Sequence, residues 1–470
     1  MVFSSIVFLC AFLPVTLLLD WLIPGVTAKN AVLIVASLLF YAYGEPVLVL
    51  LLVASTLFNW AMGMLVDARE GAARKAVLVV SVVVNLGLLA VFKYSAMLVE
   101  TANALMGLSL PVPAIPLPLG ISFYTFQALS YVIDVYRGDA QPQRKYTRVL
   151  LYISLFPQLV AGPIVKYHDI ELEMGKRHAT TNDVAVGLRR FCMGLAKKVL
   201  IANTMAPVVD DLLALHAGSL TAPGAWLVAF AYLMQIYFDF SGYSDMAIGL
   251  GRVLGFHFRE NFDHPYASAS VKEFWRRWHI SLSTWLRDYL YIPLGGNRKG
   301  ARRAVVNRII VFLLCGLWHG ASWTFVVWGL LHGLALLLES AVPVHKLPKM
   351  VGHLYTTLFV MLAFVVFRCD TLMQSGEVIR AMFCDWRMDA TSLAPVMEHL
   401  TPFFLVVALG AVLLCGSLPS RMTKAMERRL SVRGTRVTQI CSYVCAIALL
   451  VLCMASLAGG TYNPFIYFRF

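Results

Sequence analysis

The chain has 470 residues, 59% of them hydrophobic and only 14% charged, with a mean hydropathy of +0.72. A soluble domain carries about a quarter charged residues, so the composition excludes an ordinary soluble enzyme and indicates a polytopic membrane protein. The net charge of +13 does not point to nucleic acid, because the basic residues sit between apolar runs, as short cytoplasmic loops require. Three basic clusters are expected in the cytoplasm: Arg69, Arg74 and Lys75; Arg298, Lys299, Arg302, Arg303 and Arg308; and Arg421, Lys424, Arg428, Arg429, Arg433 and Arg436. The first and third read as topology signals only. The nine cysteines are odd in number, lie mostly in apolar runs and form no paired Cys-x-x-Cys sets. They read as small buried hydrophobes, with no disulfide framework and no metal site expected.

In chain order, residues 1–5 lack a basic n-region and 6–24 are apolar over a spanning length, which reads as a retained first helix. Residues 30–65 are too long for one helix, and Gly44-Glu45-Pro46 offers a break. Spans are predicted at 76–98 and 148–165. The short run 114–134 opens with Pro116 and Pro118 and reads as re-entrant. After the predicted span 225–250, residues 306–341 again exceed one span, with Gly320 near the middle. Further spans are predicted at 352–368, 400–418 and 438–458. If the second and third basic clusters are both cytoplasmic, an even number of passes separates them. That parity favours a break beside His319, and a broken helix at membrane depth is tolerated only where it is buried in protein or lines a cavity. The count comes to about a dozen passes with no soluble domain, the longest polar stretches being 166–190, 251–273 and 419–437. No internal repeat is visible, which weakens a transporter reading.

Three stretches could carry chemistry. Residues 235–245 place Asp239 and Asp245 at the end of an apolar run, and with Ser241 and Ser244 they make a polar pocket that cation binding and structural hydrogen bonding would each explain. Residues 274–289 (Phe-Trp-Arg-Arg-Trp-His-Ile-Ser-Leu-Ser-Thr-Trp-Leu-Arg-Asp-Tyr) are aromatic and basic together. On one helix, Trp275, Trp278, His279 and Leu282 would share a face with arginines beside it. Such a face suits an anionic ligand with a hydrophobic part, since guanidinium binds phosphate bidentately and tryptophan stacks on planar groups. It equally suits an interfacial belt of Trp, Tyr and Arg. Finally, His319 lies in a run, Ile309–Leu338, that contains no Asp, Lys or Arg and no Glu. An ionisable side chain at membrane depth is by default a functional candidate, the alternative being a packed histidine bonded to a neighbouring helix. His332, thirteen residues on, lies about 220° round an ideal helix from it, which argues against a shared site on one straight helix.

The sequences Tyr237-Phe238-Asp239-Phe240-Ser241-Gly242-Tyr243-Ser244, Phe274-Trp275-Arg276-Arg277-Trp278-His279 and Leu317-Trp318-His319-Gly320, in that order, resemble the membrane-bound O-acyltransferase family. Residues 119–138 and Pro157-Gln158-Leu159-Val160-Ala161-Gly162-Pro163 match as well. The stretch Trp285–Ile292 followed by Leu294-Gly295-Gly296-Asn297-Arg298 is similar to the bacterial alginate O-acetyltransferase branch. The resemblance covers 1–470 as one domain and is strongest over 115–335, with 342–470 less distinctive.

The resemblance implies an all-α polytopic fold of transmembrane and re-entrant helices around a buried tunnel. It also implies transfer of an acyl group from a thioester to a hydroxyl. The family's invariant histidine maps onto His319, and the second motif histidine onto His279. A hydroxyl attacks a thioester poorly unless its proton is removed, and a buried histidine stays neutral and able to accept one. His319 is then the expected base, and His279 the group that orients donor, acceptor or oxyanion. Arg276, Arg277, Arg287 and Arg298, with Trp275 and Trp278, are expected to bind the donor, acetyl-CoA, at the cytoplasmic mouth. Asp239, Ser241, Tyr243, Trp318 and Asn297 are expected to line the tunnel or support the motifs. No permanently bound cofactor is expected. The implied setting is a bacterial inner membrane, with lipid, a periplasmic acetyltransferase partner and a polysaccharide synthesis complex as partners, and no nucleic acid. The implied acceptor is an exported polysaccharide such as alginate. Alternatives are D-alanyl or other acyl transfer from a carrier protein, a channel or transporter subunit, and a structural subunit of a synthase.

Overall fold

The computed structural model describes residues 1–216, 218–342, 344–417, 432–460, 463, 465 and 466. Every element among them is helical. Among the described residues six helices are long and apolar enough to cross a membrane, or seven if the bent pair Ala390–His399 and Pro402–Cys415 is one span. The chain is an all-α, multi-pass membrane protein, and the dozen passes read from sequence are an approximate count. Of the third basic cluster, Arg421, Lys424, Arg428, Arg429 and the side chains of Arg433 and Arg436 lie outside the described residues.

The chain forms two compact units, Met1–Phe191 with Ser244–Arg259, and Cys192–Tyr243 with Glu260–Phe470. The first contains α1 (Leu13–Leu22), α2 (Val26–Ala42), α3 (Leu48–Asp67), α4 (Gly71–Met106), α5 (Ile121–Arg137), α6 (Tyr146–Ser154) and most of α7 (Thr181–Ala196). The break between α2 and α3 falls at Gly44-Glu45-Pro46, as read from the sequence. Polar groups tie these helices together. Asn59 and Asn85 exchange amide hydrogen bonds of 3.0 and 2.8 Å in the buried face of α3 and α4, the kind of interhelical bond that substitutes for a hydrophobic driving force in lipid. Arg74 donates to the carbonyls of Val135 and Tyr136 at 3.1 and 3.0 Å. A residue read as a topology signal thus also caps the C-terminus of α5.

One predicted span breaks up, and one region read as re-entrant is resolved. Residues 148–165 do not span: α6 stops at Ser154 and a single turn, Phe156–Leu159, follows. Pro157 and Pro163 withhold donors, and Gly162 packs so tightly on the preceding turn that a Cβ there would lie 2.5 Å from the Gln158 Cα. In the 114–134 region an irregular run, 108–118, precedes the buried helix α5. Conversely, a helical path missed in the sequence runs through α7, a π-turn at Lys197–Ala202 and α8 (Asn203–Leu213) as a candidate span, Thr181–Leu213. Its polar residues hid it, and each of three is neutralised by an ion pair: Asp183 with Arg252 at 2.9 Å, Arg190 with Asp245 at 2.8 Å, and Lys198 with Asp239 at 3.0 Å. Paired charge inside a bundle is tolerated where lipid-facing charge is not.

The second unit holds α8, the first two-thirds of α9 (Ala222–Val253), α10 (Val271–Arg277), α11 (Ile280–Leu286), α12 (Ala301–His319), α13 (Trp323–Ala341), α14 (Lys349–Arg368), α15 (Leu372–Cys384), α16 (Ala390–His399), α17 (Pro402–Cys415) and α18 (Val432–Ala458). The break expected beside His319 is present. Helix α12 ends on that residue, Gly320 is extended (φ −167°, ψ 160°), and Ser322 caps α13 by accepting from the Thr324 N–H at 3.3 Å. The two helices then run back along each other as a hairpin. Arg308 on α12 donates to Ser340 Oγ on α13 at 2.6 Å, tying its open end. Backbones touch along the hairpin: a Cβ on Gly316 would lie 2.2 Å from the Phe325 carbonyl oxygen, and one on Gly329 2.3 Å from that of Phe312. Glu339 of α13 accepts the Val271 and Lys272 N–H groups at 2.6 and 3.0 Å, so an acid caps the N-terminus of α10 and fixes it against the hairpin.

Candidate active site

His319 is 6% exposed at the tip of α12. Its ring packs edge-on against Trp318, Trp328 and Phe367, with centroids 4.9, 5.1 and 5.3 Å away. His279 lies 6.3 Å from it, ring to ring, and Trp318 wedges against both. A cavity of about 10 Å³ adjoins His319, lined by Ile236, Phe240, Trp278, Trp328, Phe364, Phe367 and Ile466. That is room for one water-sized or methyl-sized group, in an almost wholly apolar wall.

The sequence placed His279 on the face of a continuous helix, and the structure corrects this. The helix breaks between α10 and α11: Trp278 is extended and His279 has φ 44°, ψ 54°, a left-handed backbone. Such a conformation is uncommon outside glycine, though histidine is among the residues enriched there. The break turns the imidazole inward, where it is fully buried against Phe240, centroid to centroid 4.6 Å. The amide of Asn261 sets its tautomer. Asn261 Oδ1 accepts from the Ser281 N–H at 3.1 Å and its hydroxyl at 2.9 Å, and lies 3.2 Å from His279 Nδ1. An acceptor facing Nδ1 requires the proton there, so in the neutral ring Nε2 presents a lone pair. Nε2 is buried and has no hydrogen-bond partner among the described residues. Sequence reasoning missed Asn261, which is eighteen residues from its partner and in no motif.

His332 is closer to His319 than a straight helix would allow, because the helix is broken between them. Trp328 stands between the two rings, 5.1 Å from His319 and 4.8 Å from His332. The Trp275 indole N–H, a donor only, gives to His332 Nδ1 at 3.1 Å, so in the neutral ring Nε2 carries the proton.

The other expected residues separate. Trp275 and Trp278 are buried, the first bonded to His332 and the second lining the cavity, so neither offers an open stacking face to the arginines. Arg276, Arg287 and Arg298 are exposed. Arg277 is paired with Glu273 at 2.9 Å, and Arg287 with Asp288 at 2.7 Å. Asn297 is exposed, its Oδ1 accepting from the Tyr291 hydroxyl at 2.5 Å. Asp239 is a structural group: one oxygen meets Lys198, and the other accepts the Ile466 N–H at 2.9 Å. Asp245 meets Arg190 instead, so the two carboxylates serve different partners. Ser241 is buried and Tyr243 stacks on Phe465 at 4.8 Å.

If Asn261 sets the tautomer, Asn261→Leu is expected to lower turnover about ten- to a hundredfold, in line with losses at supporting-shell partners. Asn261→Asp, which keeps an acceptor at Nδ1, is expected to recover part of it. Equal rates for Asn261→Leu and wild type, measured as acyl transfer by purified protein, would exclude that role.

Residues 145–369 match the membrane-bound O-acyltransferase family. The chain is 40% identical to the "probable alginate O-acetylase" of Azotobacter vinelandii over the whole of both chains. It is 45% identical to the protein of the same name from Pseudomonas aeruginosa over 82% of this chain and 75% of that one. To the peptidoglycan O-acetyltransferase of Helicobacter pylori it is 36% identical, over 81% of this chain and 80% of the other.

Proposed function

The chain belongs to the membrane-bound O-acyltransferase family, and from that premise we propose that this O-acyltransferase moves acetyl from cytoplasmic acetyl-CoA to a hydroxyl of an exported polysaccharide, alginate or a polymer like it. The site lies in a bacterial inner membrane, and a periplasmic acetyltransferase partner and the polymer's synthesis complex complete the route. The observation that carries this reading is the pair of buried imidazoles, 6.3 Å apart, beside a cavity of methyl size.

In the reaction, the acceptor oxygen attacks the thioester carbonyl. The C–O bond forms, the C–S bond breaks, the hydroxyl proton passes to His319, and the departing coenzyme A sulfur takes a proton in turn. Removal of that proton in the transition state contributes about a hundred- to ten-thousandfold. The Nδ1–H tautomer narrows the role of His279. Its Nε2 accepts and does not donate, so it is not the oxyanion's donor.

The exposed Arg276 and Arg298 are the better candidates for the phosphates of the donor, since Arg277 and Arg287 already face carboxylates. Purified protein is expected to release free thiol from acetyl-CoA, and Arg298→Glu to raise KM for acetyl-CoA about tenfold with kcat less affected. An unchanged KM would remove Arg298 from the donor site. No thiol release by wild type would favour a channel or structural subunit. The likeness to the Helicobacter pylori enzyme supports a second acceptor, peptidoglycan, which direct analysis of the acetylated polymer separates from the first.

A further inference from the structure

Residues 463, 465 and 466 lie far along the chain, and Ile466 reaches the cavity beside His319. Asn463 Oδ1 accepts from Asn203 Nδ2 at 3.1 Å, and Phe465 stacks on Tyr243 with centroids 4.8 Å apart. The Ile466 N–H donates to Asp239 Oδ2 at 2.9 Å, while Lys198 Nζ sits 3.0 Å from Asp239 Oδ1 and 5.9 Å from the Phe465 ring. Phe465 and Ile466 are each 7% exposed. One oxygen of Asp239 therefore holds this segment directly, while the other pairs with Lys198. The residue so held, Ile466, lines the same cavity as His319.

We propose that Ile466 determines which acyl chains the enzyme accepts, with Asp239 as the residue that positions it. The proposal rests on the acyl-transfer reading of the His319 cavity. With the carbonyl carbon beside His319, the rest of the acyl chain has to lie in the adjoining space. That space, about 10 Å³, holds one methyl, as acetyl requires, and each further methylene needs a wall to retreat. Most of the other walls are aromatic rings wedged against one another, whereas Ile466 is an aliphatic side chain. A hydrophobic pocket discriminates one methylene by about 10- to 200-fold.

The test uses purified full-length protein with acetyl-, propionyl- and butyryl-CoA and one acceptor, comparing kcat/KM ratios among donors. Wild type is expected to favour acetyl by at least tenfold over butyryl. Ile466→Val is expected to raise the propionyl-to-acetyl ratio. Ile466→Ala, which clears more of the wall, is expected to raise the butyryl-to-acetyl ratio about tenfold or more. Removal of one methyl in the Val variant leaves the segment's hydrogen bonds in place, so the test stands even if the Ala variant loosens the tail. Unchanged ratios in the Val variant, or a wild type that takes butyryl as readily as acetyl, would overturn the proposal. A wild type that transfers no acyl group from any of the three donors would overturn the acyl-transfer reading itself, and this proposal with it.

Discussion

His319→Ala is expected to lower acyl transfer by at least a hundredfold while the protein inserts, purifies and elutes as the wild type does. The magnitude is the worth of removing a proton in the transition state. Folding should survive because the ring's neighbours are aromatic and packed elsewhere too: Trp328 and Phe367 pack on each other, and Trp318 packs on His279. The measurement is the initial rate of thiol release coupled to acceptor acetylation. His319→Gln, which keeps polarity but accepts a proton poorly, is expected to be as inactive as the alanine variant. Residual transfer above a tenth of wild type would remove His319 from the proton's path and shift attention to the Nε2 lone pair of His279.

The second large effect comes from a glycine without chemistry. Gly316 meets the backbone of the facing helix, where a Cβ would lie 2.2 Å from the Phe325 carbonyl oxygen. Carbon–oxygen contacts settle at about 3.3 Å or more, so Gly316→Ala must push α12 and α13 apart by about 1 Å. His319 is three residues further along α12, and a misplacement of about 1 Å can cost about a hundredfold in rate. The expected result is a large loss of kcat together with lowered thermal stability in detergent. Gly410→Ala, on α17 with nothing within 4 Å of the added Cβ, is the matched control and should change neither. Wild-type activity in the Gly316 variant would mean that the hairpin does not need its close approach to place His319.

That hairpin marks how far the sequence could be read. Charge parity called for a break near His319, and Gly320 with Ser322 supplies it. The pairing of the two halves was also visible without being used: Gly316 and Gly320, then Gly329 and Gly333, repeat the four-residue spacing by which membrane helices approach closely. Other features had no local signal. The helix rule that placed Trp275, Trp278, His279 and Leu282 on one face assumed continuity, and no proline or glycine between Phe274 and Tyr289 warns of the turn at His279. The span Thr181–Leu213 was hidden because its charges find partners only in three dimensions. Asn261 and Ile466 act on residues 18 and 227 positions away, distances over which no periodicity speaks. The motif aspartate Asp239 drew attention for its polarity in an apolar run, and the reason for that polarity is a backbone N–H and a lysine, not a ligand.

The most direct test of the whole account is the acetyl content of the exported polysaccharide, measured by mass spectrometry. Cells lacking the protein would be compared with cells carrying wild type or His319→Ala at equal membrane abundance. The account predicts ester-linked acetyl on the polymer with wild type and none above the deletion background with His319→Ala. Full acetylation in the His319→Ala cells, or a polymer whose acetylation ignores the presence of the protein, would contradict it.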